Sequence, residues 1–220
     1  MPKLIPQQVQ INYIGLFSKP IFSLWNQGGT LEKLFTAFQQ YNVSIGDMRY
    51  DVSSPNFADA TLTVHLFNFS GSYKYKLDRV EAVFQDYTEE QFPIIPDVLR
   101  NGDECFRSLV SDFSFQTHLF THASHNELSE GTSKGFLQGL SNVDVPGIGL
   151  NQGNGITFHW DIPERNWRFQ LAIDHSTYVN NGVFLQFLVR LSDDRIDYVD
   201  TFQDSLALGR NALAGIGLEV

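Results

Sequence analysis

Cysteine is nearly absent: Cys105 stands alone among 220 residues. No intrachain disulfide can form and no thiolate-based zinc centre can be built. That usage fits a reducing, cytoplasmic setting. Charge is sparse as well, at 18% of residues, and the basic share is the smaller one. Fifteen Lys and Arg against 25 Asp and Glu leave a formal charge of −10. A field of that sign repels phosphate polymers and anionic membrane surfaces. Long apolar runs are missing too. The longest are strand-length, and the opening Met1-Pro2-Lys3-Leu4-Ile5-Pro6 lacks the apolar segment of a signal peptide. The expectation is a soluble intracellular protein with no membrane association, for which nucleic acid is possible but disfavoured by net charge.

Apolar and aromatic residues are plentiful, at 42% and 14% respectively. Such a chain can bury a substantial core and is not disordered. Its length suits one domain of generous size or two small ones built as a unit.

The chain also repeats itself. Ile11, Tyr13 and Phe17 match Phe113, Phe115 and Leu119 at an offset of 102, and Gly29-Thr30 matches Gly131-Thr132 at the same offset. Asn42-Val43-Ser44-Ile45 matches Asn142-Val143-Asp144-Val145 at an offset of 100. Leu62, Val64 and Leu66 match Ile156, Phe158 and Trp160 at 94, and Tyr73 to Leu77 matches Trp167 to Leu171 at 94. The offset changes only between elements, and the two-residue phase within strands is kept. A one-residue slip would exchange the faces of a strand, so chance similarity has no reason to respect that phase.

Periodicity assigns the elements. In the first half, residues 8–17 alternate as a half-buried strand, and Thr30 is read as the N-cap of a helix burying Leu31, Leu34, Phe35 and Phe38. Strands are expected over 42–52 and 60–69, with a Ser70-Gly71-Ser72 turn into 73–77, a short strand over 80–84 and a helix within 88–110. The second half is expected as strand 112–120, helix 132–140, strands 142–150, 155–162 and 166–174, an Asn180-Asn181-Gly182 turn, strand 183–191 and a helix over 194–213.

The reading is a single α+β domain made of two β-α-β(3-4)-α repeats, 8–110 and 111–220, forming one curved antiparallel sheet with helices on one face. That element order resembles the duplicated, saddle-shaped fold of TATA-box-binding proteins, in topology and over most of the chain. The resemblance rests on no sequence motif and brings no functional residue with it.

Alternation then separates two faces. Leu62, Val64, Leu66, Tyr73, Tyr75 and Leu77, with Ile156, Phe158, Trp160, Trp167, Phe169 and Leu171, form the covered set. The open face presents Gln10, Asn12, Thr61, Thr63, His65, Lys74 and Lys76 from one half. From the other come Ser114, Gln116, His118, Thr157, His159, Arg168, Gln170 and Arg190. His65 and His159 occupy equivalent positions. This face is polar and locally basic on an acidic protein, and Phe67, Phe69 and Phe120 add aromatics that only a partner would cover.

Candidate chemistry is thin. His118, His122 and His125, beside Glu127 and Glu130, are the densest group of metal-ligating side chains and would support a small metal-dependent hydrolase. Asp193, Asp197, Asp200 and Asp204 recur at helical spacing and form an acidic stripe whose first members suit a helix N-terminus. Asp174-His175-Ser176 has the residues of a triad, but neighbours on a strand point to opposite faces. Gly147-Ile148-Gly149 and Gly153-Asn154-Gly155 precede no helix that could hold a phosphate. Cys105 has an acidic flank that raises rather than lowers a thiol pKa.

The expected function is therefore a binding module rather than an enzyme, with no cofactor. It would engage a protein partner, or a second copy of itself, through the open face or the acidic terminal helix. Nucleic-acid or nucleotide binding on the polar face is the first alternative, and the histidine-centred hydrolase the second.

Overall fold

The computed structural model describes residues 2–22, 27–51, 59–110, 113–141, 143 and 154–219, with only the backbone of 27–28. In chain order the first elements are β1 (Leu4–Phe17), α1 (Gln27–Phe38), β2 (Met48–Asp51), β3 (Thr61–Leu66), β4 (Gly71–Tyr75), β5 (Arg79–Gln85) and α2 (Ile94–Leu109). There follow β6 (Phe115–Leu128), α3 (Ser133–Leu140), β7 (Ile156–Ile162), β8 (Trp167–His175), β9 (Gly182–Leu191) and α4 (Tyr198–Gly215). Among the described residues the strands pair in the order β2-β3-β4-β5-β1-β6-β9-β8-β7 as one nine-stranded antiparallel sheet, so the fold is α+β. Among the described residues no helix is long and apolar enough to cross a membrane.

Two compact units can be distinguished. One comprises 11–120 and 191–202, and the other 1–10, 121–190 and 203–220, so each unit takes part of β1 and part of β6.

In the 11–120 unit, alternation within β3, β4 and β5 buries Leu62, Val64, Leu66, Tyr73, Tyr75, Val80, Ala82 and Phe84. Each such side chain contributes roughly 1.5–3 kcal/mol on burial. Helix α2 answers with Ile95, Val98, Leu99 and Phe106, all buried. Its closest approach is at Gly102, where an added Cβ would lie 2.4 Å from Cζ of Tyr73. The Tyr75 hydroxyl donates to the Gly102 carbonyl at 3.3 Å, and its ring stacks on Phe106 at 5.7 Å. Leu34 and Phe38 of α1 are buried as expected, with Phe38 against Tyr73 at 5.4 Å.

Several local expectations change here. Helix α1 starts at Gln27, so Thr30 is not its N-cap but a buried residue of its first turn. Residues 42–47 are not a strand. Asn42 adopts φ +58° and Ser44 opens a short turn of 3-10 helix, held by Asp47. The Asp47 carboxylate accepts from the Ser44 amide at 2.8 Å and its hydroxyl at 2.6 Å, which holds its pKa below the usual carboxylate range. The β3–β4 turn is Phe67 to Ser70, before the Ser70-Gly71-Ser72 expected from composition. The helix expected within 88–110 is found there, beginning at Ile94 after Pro93, and a turn of 3-10 helix precedes it, in which the Gln91 side chain accepts from Thr88 at 3.0 Å.

In the 121–190 unit, Trp167, Phe169, Leu171 and Ile173 of β8 and Val183, Leu185, Phe187 and Val189 of β9 are buried. Helix α4 approaches β9 at Gly209, where a Cβ would sit 2.7 Å from the Phe187 ring. Thr132 caps α3 as its sequence suggests, accepting from the Gly135 amide at 3.0 Å. Asn181, at φ +56°, makes the β8–β9 turn, and its side chain accepts from the Ser133 amide at 2.9 Å. Strand β7, last in the sheet order among the described residues, departs from expectation: Ile156 and Phe158 are half-buried, and Trp160 is 40% exposed rather than in the core. The expected strand 142–150 lies outside the described residues, Val143 excepted.

Candidate binding faces

On the face of the 11–120 unit opposite its buried side chains, register sets a row Arg49, Thr63, Lys74, Glu81 across four strands. The next row places His65 beside Ser72 and Val83. The Phe69 ring packs on His65 at 4.6 Å, with the Arg49 guanidinium 5.9 Å from its centroid, and Phe69 stays 56% exposed. Burial, then Arg49 and Lys74, hold the His65 pKa below the ordinary imidazole value, so this ring is neutral at pH 7. Lys76 and Arg79 are less available, since both donate to Glu81, at 2.9 and 2.6 Å. Burial pushes the Glu81 carboxyl up, but those two cations prevail and leave it below its ordinary value.

In the 121–190 unit, β7 and β8 set His159 opposite Gln170 and Asp161 opposite Arg168. His159, Asp161, Arg168, Gln170, Leu188 and Arg190 line one cavity of about 490 Å³, together with Trp160 and Phe169. Alternation alone assigns His159, Arg168, Gln170 and Arg190 to the open face. The Arg168–Asp161 pair spans 3.3 Å with side chains 73% and 76% exposed, so it contributes little and leaves the guanidinium available. Trp160 stacks between Phe158 at 5.7 Å and Phe169 at 5.2 Å, on the face of β7 and β8 opposite that of His159 and Arg168. Of the remaining expected face residues, Gln116 is exposed and Gln10 half-buried.

The histidine cluster is not assembled. His118 is fully buried: Tyr13 Oη lies 2.8 Å from its Nδ1 and 3.1 Å from Tyr198 Oη. Burial brings His118 down to about 4, so it is neutral. The alternation that placed His118 outward fails because Phe115 and His118, three residues apart, turn their rings to the same side, 4.4 Å from each other. The same shift in phase buries Phe120 against Tyr13 instead of exposing it. His122 stacks on Phe187 at 5.3 Å. His125 Nδ1 meets Ser176 Oγ at 2.9 Å. Among the described residues no three His, Cys, Asp or Glu converge as a metal requires, and the strand expected to end at 120 continues through His122 and His125 to Leu128.

Two of the four acidic residues read as a stripe have other partners. Asp197 caps α4, accepting from the Val199 and Asp200 amides at 2.9 and 3.0 Å. Asp204 pairs with Arg165. Asp193 and Asp200 are exposed. Asp174-His175-Ser176 is no triad either: Ser176 Oγ accepts from the Val179 amide at 2.8 Å, which commits it to the turn. Cys105 is buried and its thiol is pushed up to about 11 by burial, which keeps it unreactive.

A second cavity escaped the reading of the sequence. It has a volume of about 700 Å³ in the 11–120 unit and is lined by Tyr41, Phe67 and Tyr87 together with Asp47, Asp86 and Glu90. The backbone around it is unusual. Asn42, Phe67, Asn68 and Asp86 all line it at φ between +54° and +59°, and Phe69 beside them has φ +73°. Asn and Asp tolerate this region, whereas each phenylalanine there costs roughly 1–2 kcal/mol. No glycine marks the turn, so no sequence signal revealed it. Strain of this kind concentrates where a fold shapes a site.

No protein-family model matches this chain, and comparison with curated proteins finds no match.

Proposed function

We propose that the protein is a non-catalytic binding module whose outer sheet face recognises an acidic segment of a protein partner. The observation that carries this reading is the cavity on the outer face where Arg168, Arg190 and His159 gather with Gln170 and Leu188. Two guanidiniums match the Arg anchors that recur at protein interfaces. The Arg49, Lys74, His65 and Phe69 group supports it with the same chemistry in the other unit. Catalysis finds less support, because the histidines expected to perform it are spent on packing and on hydrogen bonds.

The strand order supports reading the fold as two repeats, 8–110 and 111–220. The first strand of each, β1 and β6, are neighbours, and the rest follow outward as 5-4-3-2 and 9-8-7. This arrangement accords with the topology of TATA-box-binding proteins. The single, buried cysteine suits a cytoplasmic setting.

Fluorescence anisotropy tests the reading with two probes on the full chain: a labelled peptide alternating Glu and Leu, and a labelled single-stranded oligonucleotide of equal length. The expected result is saturable peptide binding that weakens modestly between about 50 and 200 mM salt. Oligonucleotide binding that exceeds it and collapses over that range would overturn the reading in favour of nucleic acid.

A further inference from the structure

The cavity of about 700 Å³ carries the opposite chemistry to the outer face. Its wall includes three carboxylates, Asp47, Asp86 and Glu90, and among the described residues lining it none is Lys or Arg. Asp47 is fixed by two hydrogen bonds to Ser44 through one oxygen, Oδ2, at 2.8 and 2.6 Å, which leaves Oδ1 to a ligand. Asp86 and Glu90 are exposed and pair with no cation among the described residues. Opposite charge must come from outside.

The aromatic wall points the same way. Phe67 meets Tyr41 edge-on at 5.7 Å and Tyr87 edge-on at 5.9 Å. Such a chain of tilted rings offers π faces at different angles, the arrangement that attracts ammonium groups. Tyr87 is only 7% exposed, and its buried hydroxyl makes no hydrogen bond of normal geometry. Its neighbour Ser70 donates its own proton to the Phe67 carbonyl at 2.9 Å. The left-handed conformations of Phe67, Asn68 and Asp86 place this ring and these polar groups around the cavity. A volume of this size falls within the range of small-molecule sites.

We propose that the cavity binds an organic cation bearing more than one ammonium group, a di- or polyamine, with its ammonium groups at Asp47, Asp86 and Glu90 and its methylenes along Tyr41, Phe67 and Tyr87. The site meets the outer face at His65, which also lines the cavity, but it does not depend on what that face binds.

Calorimetric titration of the full chain with spermidine tests it, with glucose and citrate as neutral and anionic comparisons. The informative variant is Asp86→Asn with Glu90→Gln. Both positions are exposed, and Asn accepts the left-handed backbone at 86. Asp193→Asn with Asp200→Asn removes the same charge at exposed sites elsewhere. Spermidine should bind saturably at one site, about tenfold more weakly after the cavity pair is neutralised and about unchanged after the remote pair. Absence of saturable binding would overturn the proposal. So would equal weakening by both pairs, which would mean general attraction to an acidic chain, or binding of glucose in place of spermidine.

Discussion

Replacing Gly102 and Gly139 by alanine should move stability in opposite directions, although both lie in helices. At Gly139 in α3 nothing lies within 4 Å of the new methyl, so the change acts only through helix propensity and the unfolded chain. The expected gain is about 1 kcal/mol. At Gly102 in α2 the same gain applies, but the Cβ would meet Cζ, Cε2 and Oη of Tyr73 at 2.4, 2.6 and 2.6 Å. That ring cannot swing away. It is fully buried, with Phe38 at 5.4 Å on one side and Tyr75 at 5.0 Å on another. Either the helix lifts, and Tyr75 loses its bond to the Gly102 carbonyl, or the ring is forced off its rotamer. Overpacking of this kind costs typically 1–3 kcal/mol, and three overlapping atoms put it at about the upper end. The net result is a loss of about 2 kcal/mol. Urea unfolding followed by circular dichroism reads this as a lowered midpoint with unchanged slope. A Gly102→Ala protein as stable as the parent would refute the close approach of α2 to β4 on which the inner face is built.

Two further outcomes follow from the polar groups. Thr132→Ala removes the acceptor for the Gly135 amide and should lower the urea midpoint by the equivalent of about 1 kcal/mol. The buried His118, whose pKa of about 4 lies below the ordinary 6.5, binds a proton more readily in the unfolded chain. Its contribution is therefore whole above pH 6.5 and is lost as pH falls toward 4, to a total of about 3 kcal/mol. His118→Gln should flatten the decline of stability across that window, measured by urea unfolding at stepped pH; parallel curves would contradict the buried, neutral imidazole.

Legibility in the sequence tracked how strongly each segment obeyed a single physical rule. β8 and the inward set of β4 were legible because Tyr73, Tyr75, Trp167, Phe169 and Leu171 alternate without interruption against polar neighbours, although β4 starts at Gly71, where a turn was expected. The second half of β6 was read as a loop because its covered positions are not apolar. Ser124 and Asn126 are buried there, satisfied by each other at 2.9 Å, and a hydrophobic period cannot report buried polar residues. His118 was misplaced because periodicity assumes a regular pleat, which fails after Phe115. The outer-face residues His159, Arg168, Gln170 and Arg190 were legible since they need only alternation to share a face. The acidic cavity was not, because it is assembled by left-handed turns at Phe67, Asn68 and Asp86, where composition gives no glycine to announce them.

The central claim, that the outer face is the binding surface, is tested most directly by reversing its charge. Arg168→Glu with Arg190→Glu alters two exposed side chains, so the fold should persist by circular dichroism. In the anisotropy titration the acidic peptide should then bind at least about tenfold more weakly, since truncating interface arginines commonly costs more than 1 kcal/mol each. An unchanged titration curve for the double variant would contradict the account.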